Sequence, residues 1–155
     1  MSVLRPMSDA EYQAWLLGAV PAFAADKVAS GQWAPQDALT LSTQAHASLL
    51  PQGMATPGHH FFVVQDAHGA AAGMLWFAVE PRGLGQVAYV YNVEIAPAFR
   101  RRGLARQAFA ALEDEARRLG LVGVALHVFG HNAGAQALYA GLGFQPTNIN
   151  LFKPL

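Results

Sequence analysis

With 155 residues, 53% of them hydrophobic, the chain is long enough for one domain, 1–155, with a substantial core. Ten basic side chains balance ten acidic ones, so no global field draws it to nucleic acid or to an anionic membrane. The absence of cysteine excludes disulfides, a thiolate nucleophile and thiolate metal sites. Nor does any stretch reach the roughly 18 apolar residues of a membrane helix. The first six residues lack the apolar run of a secretory signal, and a soluble cytoplasmic protein is the expectation.

In chain order, residues 3–6 read as a short strand ended by Pro6. Ser8 or Asp9 caps a helix with Glu11 in its first turn, and Tyr12, Trp15, Leu16 and Ala19 share one face. Pro21 is expected to break that helix or to open a second one. Phe23, Val28 and Trp33 read as inward-facing, with Gly31 as the stop. A further helix starts near Pro35 and passes through Leu39, Leu41, Ala45 and Leu49 to Pro51. Prolines and glycines make residues 50–60 a loop. Strands at 61–65, 72–79 and 86–95 come next as a meander, with turns at 66–69 and 83–85. A long helix from about Gly103 to Leu119 ends at Gly120, and 123–128 is a buried strand. Asn132 suits the N-cap of a helix to Leu142, Gly143 suits its C′ position, and 147–153 can form a last strand. The order predicts a layered α/β or α+β domain.

The pivot of the chain is the stretch from Asn92 to Arg106. Val87, Val90, Tyr91, Val93 and Ile95 mark the approach to it as a strand, whereas Leu104, Ala108, Ala111, Leu112 and Leu119 mark an amphipathic helix on its far side. The first N–H groups of a helix entered through a glycine turn are unpaired, and with the helix dipole they form an anion site. Arg100, Arg101, Arg102 and Arg106 crowd that positive end, where cations are disfavoured unless an anion docks there. The alternative is a solvated collar around an ordinary turn. The spacing favours the anion: Gly103 lets the backbone approach a ligand, and Ala105 keeps the next turn uncrowded.

Arg100-x-x-Gly103-x-Ala105, after a strand carrying Val93, Ile95 and Pro97, resembles the acyl-CoA-binding motif of the GNAT superfamily of N-acetyltransferases. Asn132-x-x-Ala135-x-x-Leu138-Tyr139-x-x-Leu142-Gly143-Phe144 resembles the second block of that family, and the match covers residues 86–153. The resemblance implies a mixed, mostly antiparallel central sheet of about six to seven strands flanked by about four to five helices, splayed at the acyl-CoA site. It implies acetyl-CoA as co-substrate. The pyrophosphate would lie on Gly103, Leu104, Ala105 and the four arginines, and the pantetheine arm along Val93 and Ile95, reaching Asn132 and Tyr139. The stretch 126–132 and the ending 147–150 resemble a bacterial subgroup of the same family.

Acetyl transfer from a thioester needs a neutral amine, donors for the oxyanion, and protonation of the leaving thiolate. Glu94, in the apolar run Val93-Glu94-Ile95, is the candidate base, with a pKa expected to be raised by desolvation. The other reading of Glu94 is a solvated side chain, or one paired with Arg100 or Arg101. Tyr139 is the acid that the resemblance implies; the alternative is a half-buried aromatic of an amphipathic helix. Tyr12 and Trp33 read first as packing, second as acceptor lining. His59-His60 and His127-x-x-x-His131 lack carboxylates at metal-ligand spacing, so no metal is expected. His127 and His131 are candidates for the acceptor pocket instead.

The expected partners are therefore acetyl-CoA and a primary amine, small or protein-borne, attacking directly within a ternary complex. Nucleic acid and membrane are not expected. The final strand, about 148–152, can pair with a second copy, so a homodimer is allowed. A non-catalytic acyl-CoA sensor of the same fold is the alternative.

Overall fold

The computed structural model describes residues 2–155. Its frame is a five-stranded sheet of β1 (Leu4–Pro6), β2 (His59–Gln65), β3 (Ala71–Arg82), β4 (Gly85–Ile95) and β5 (Gly123–Leu126), in that spatial order. The first four strands pair antiparallel, and β5 adds parallel to β4. This is the mixed, mostly antiparallel sheet expected, with four α-helices.

Both faces of the sheet are covered. Helix α3 (Leu104–Arg118) lays a stripe of Leu104, Ala108, Phe109, Leu112 and Ala116 against one face, where Leu75, Phe77, Ala88 and Val90 complete a core. Helices α1 (Asp9–Ala29) and α2 (Pro35–Leu49) cover the other face, where Tyr12, Phe61, Met74 and Trp76 are buried together. Alternation along β3 sorts Leu75 and Phe77 to one side and Met74 and Trp76 to the other. Because both faces are buried, the strand reads as a near-continuous apolar run.

Helix α1 begins with a reciprocal capping box. The Glu11 N–H donates to Ser8 Oγ at 3.2 Å, and the Ser8 N–H donates to Glu11 Oε2 at 2.9 Å. Arg5 of β1 adds a two-pronged bond to the same carboxylate, 2.8 and 3.0 Å, which fastens the helix to the sheet edge. These bonds, Arg5's foremost, hold the Glu11 carboxyl down to about 2.

Two expectations change. Pro21 neither breaks nor starts a helix; α1 runs through it. Proline removes the donor to the carbonyl of Leu17, but Leu17 is 82% exposed, so water can supply that bond. The sheet has five strands rather than six or seven, because residues 147–153 form no strand. The last backbone donor of the chain among the described residues is Phe144, bonded to the Tyr139 carbonyl at 3.0 Å; beyond it the chain forms no regular element and is exposed.

Candidate active site

A bulge in β4 opens the site. Trp76 pairs with Asn92 and Phe77 pairs with Val90, so Tyr91 is an extra residue with no partner on β3. The parallel pairing of β5 ends at the same level, with Val90 opposite Leu126. Past the bulge, Val93, Glu94 and Ile95 keep their β3 partners but have none on β5. A wedge therefore separates β4 from β5, walled on one side by an unpaired strand edge. Gly73 holds the other edge of this segment close: a Cβ there would collide with the carbonyl oxygen of Glu94.

The wedge leads to the arginine loop. After Ile95 the chain makes a 3₁₀ turn over Pro97–Phe99, and then Arg101 (φ 63°) and Gly103 (φ 75°) both take the left-handed conformation. Gly103 occupies the N-cap of α3 without a side chain to offer, so no side chain caps the first turn of the helix. The side chains do not act alike. Arg100 Nε donates to the Ile95 carbonyl at 2.8 Å, which closes the loop and occupies an acceptor of the strand edge. Arg102 lies over the Phe99 ring at 5.3 Å, and Arg106 reaches toward Gly141 of α4 (Ala133–Gly141). Leu104 is buried in the core, so it can offer a ligand only its N–H. All four arginines are exposed, and none forms an ion pair among the described residues. Three positively charged neighbours at an uncapped N-terminus leave an electropositive, donor-rich loop.

Glu94 projects from the segment beyond the bulge but is exposed, not desolvated, and it pairs with neither Arg100 nor Arg101. Its strand is apolar, yet it lies opposite Met74 beyond the reach of β5, where nothing covers it. Tyr139 is half-buried on α4 between Phe109 and Phe144, with ring centroids 5.8 and 5.7 Å away. Burial pushes its phenol pKa up, so the hydroxyl holds its proton at neutral pH. Asn132 caps α4 by accepting from the Ala135 N–H at 3.1 Å.

A second cluster, on the α1–α2 face of the bulge, was not visible in the sequence. The Tyr91 ring stacks on Trp76 at 4.8 Å and lies 5.8 Å from His59, and its hydroxyl donates to Glu80. Trp76 Nε1 donates to His59 Nδ1 at 3.0 Å. Burial lowers the His59 pKa and, with the Glu80 carboxylate, raises that of Tyr91. The bulged residue is thus fastened by stacking and by hydrogen bonding. One signal was available: Trp76, Ala78 and Glu80 alternate on β3 as Tyr89 and Tyr91 do on β4. Nearby, His131 Nε2 contacts Asp26 Oδ1 at 3.2 Å and Phe129 stacks on His131 at 5.4 Å, tying the loop before α4 to α1. Tyr12 is buried packing, and Trp33 packs edge-on to Phe23 at 5.6 Å.

Comparison with known proteins agrees with this geometry. The model of the acetyltransferase (GNAT) family matches residues 27–144. The chain is 38% identical over 153 residues to the uncharacterized N-acetyltransferase YycN of Bacillus subtilis, covering 99% of this chain and 98% of that one. It is 35% identical over 152 residues to YdgE of the same organism, covering 98% and 97%. The crystal structure of YycN superposes with a TM-score of 0.92 over 98% of this chain and 97% of that one. At 19% identity, AAC(6')-Iy, solved with the bisubstrate analogue CoA-S-monomethyl-acetylneamine, shares the fold with a TM-score of 0.60 over 98% and 96%. A family match across most of the chain, together with full-length relatives well above 30% identity, places this protein in the GNAT family of acetyltransferases.

Proposed function

We propose that the chain transfers an acetyl group from acetyl-CoA to a primary amine by direct attack in a ternary complex. The observation that carries this is the wedge between β4 and β5 ending on an uncapped helix N-terminus ringed by arginines. In this reading the pyrophosphate lies on the N–H groups of Gly103, Leu104 and Ala105, with Arg101, Arg102 and Arg106 around it. Arg100 serves chiefly to close the loop. The pantetheine amides pair with the free edge at Val93 and Ile95, and Asn132 borders their path. AAC(6')-Iy, whose structure carries a CoA conjugate, lends the shared fold a precedent.

The chemistry is that of the groups flanking the wedge. The amine loses a proton to Glu94, directly or through water, since an exposed carboxylate is in contact with solvent. Its lone pair attacks the thioester carbonyl, the nitrogen releases its second proton to water, and the C–S bond breaks as the tetrahedral intermediate collapses. Tyr139, with its phenol held protonated, gives its proton to the leaving thiolate. The acceptor approaches past the half-buried rings of Tyr91 and His59 beside the bulge.

A thermal-shift titration with acetyl-CoA, CoA and ATP tests the cofactor half. Acetyl-CoA at a hundred times its Kd should stabilise by about 2.7 kcal/mol, whereas ATP should not. Glu94→Gln and Tyr139→Phe test the roles: turnover of an amine panel falls while acetyl-CoA affinity stays. Wild-type rates in both variants would remove these assignments.

A further inference from the structure

We infer that Glu80 is the counter-ion of the acceptor: the amine carries a second ammonium group, which seats on the Glu80 carboxylate against the rings of Tyr89 and Tyr91. The other end of that molecule is the amine of the proposed acetyl transfer, so the inference rests on that reading for its role but not for its binding. The observation behind it is an uncompensated charge. Glu11, Asp26, Asp66, Glu80 and Glu115 are the half-buried acids among the described residues. Arg5 holds Glu11, His131 meets Asp26, and Arg118 holds Glu115. Asp66 accepts from the backbone N–H groups of His68 and Ala70. Glu80 has neither a basic side chain nor an N–H group within reach among the described residues; its one donor is the hydroxyl of Tyr91.

Its neighbours do not supply the missing charge. Trp76 Nε1, which can only donate, bonds to His59 Nδ1 at 3.0 Å. That nitrogen keeps its lone pair, so His59 is a neutral imidazole while the bond is in place. Burial works in the same direction by lowering the His59 pKa. Arg82, two residues further along β3, is exposed and forms no ion pair among the described residues. Nor does Tyr91 account for a charge at this position. A phenol needs one acceptor oxygen, and a neutral amide would provide it. A half-buried carboxylate loses part of its hydration and regains it only from a cation or from further donors.

The surroundings suit an ammonium. Tyr89 and Tyr91 are half-buried with ring centroids 4.8 Å apart, and the His59 ring lies 5.8 Å from Tyr91. Aromatic faces beside a carboxylate attract a cation. The position fits as well. Tyr91 is the bulged residue at which β5 leaves β4, so one phenol separates Glu80 from the mouth of the wedge. Trp76 pairs with Asn92 at the level of the bulge, and Glu80 pairs with Val87 further along. The step from Trp76 to Glu80 is about 13 Å of strand, shortened by the reach of the Glu80 side chain toward Tyr91. The acceptor is therefore an extended molecule with a cation at each end, not an amine whose second group is anionic.

Isothermal titration calorimetry on the full-length protein, alone and with CoA, tests this. The probes are 1,4-diaminobutane, 1,6-diaminohexane and 1,8-diaminooctane, each against the monoamine of the same length, with 6-aminohexanoate as the anionic control. Turnover with acetyl-CoA is read in parallel. At least one diamine should bind about tenfold or more tightly than its monoamine, the weight of a hydrogen bond to a charged group. The amino acid should bind no better than hexylamine. In Glu80→Gln, which keeps an acceptor for the Tyr91 hydroxyl, the preference should disappear while the melting temperature moves little. A Glu80-dependent preference without acetylation of any amine keeps the seat and removes the acetyl-transfer reading. Acetylation without a preference does the reverse. Equal binding of diamine and monoamine at every length overturns the inference, as does a preference that survives Glu80→Gln.

Discussion

The two ends of the sheet are built differently. From β1 to the bulge in β4, every strand is paired, both faces are covered, and Val64, Leu75 and Phe77 are wholly excluded from water. From the bulge to the C-terminus, the strands part, β5 is half-buried, α4 has no fully buried residue and the tail is exposed. The first end resists change because close-packed side chains have nowhere to move. The second keeps backbone groups free, and unpaired donors and acceptors are what a ligand or a partner needs. Stability is concentrated away from the proposed site.

Substitutions should separate the two ends. Phe77→Ala, at the fully buried centre, should cost about 3–5 kcal/mol, read as a lower urea midpoint, with activity lost only through unfolding. At the other end, Tyr139→Phe should lower kcat about 100-fold with little change in melting temperature. Equal loss of stability in the two variants would erase the contrast. Tyr91 stands on the boundary. Tyr91→Phe removes its bond to the Glu80 carboxylate, with an expected loss of about 1.5 kcal/mol. Because this residue forms the bulge, the KM for acetyl-CoA should rise more than kcat falls; an unchanged KM would show that the bulge holds without its anchor. Ser8→Ala removes the α1 cap and should cost about 1 kcal/mol, with kinetics untouched.

The smallest effect concerns pH. Burial lowers the pKa values of His59 and His60 in the folded protein. The unfolded chain therefore binds more protons as pH falls below about 6.5. Their contribution to stability is complete above that pH and is lost progressively below it. His60→Phe, which can keep the stack on Phe77, should flatten the decline in urea midpoint between pH 7 and 5. Glu11 acts in the same direction at lower pH: its stabilising bonds are present above about 4.5 and fail as pH approaches 2.

Much of the paired end was legible because its signals are local. The capping box at Ser8 and Glu11, Pro35 at the start of α2, and the strand alternation all act within a few residues. The glycine turn into α3 was legible for the same reason: Gly103 and the helix it opens are near neighbours in the chain. What escaped depends on partners distant in sequence. The bulge at Tyr91 arises from register against β3, and its anchor Glu80 is eleven residues away. The exposure of Glu94 reflects the departure of β5, more than 25 residues later in the chain, which no apolar run around it could signal. Pro21 misled because its cost depends on whether water can reach the carbonyl of Leu17. Residues 147–153 carry a strand's pattern, but a pattern does not supply a hydrogen-bonding partner.

Gly73 sets a limit on how this chain can evolve. Its α-carbon sits so close to the Glu94 carbonyl that no side chain, not even a methyl group, fits without parting the strands. Gly18 and Gly134 face open space and carry no such restriction. In a library of random variants, position 73 should stay glycine while those two drift. Any lineage that reshapes the strand beyond the bulge would then have to do so through other residues and leave position 73 alone.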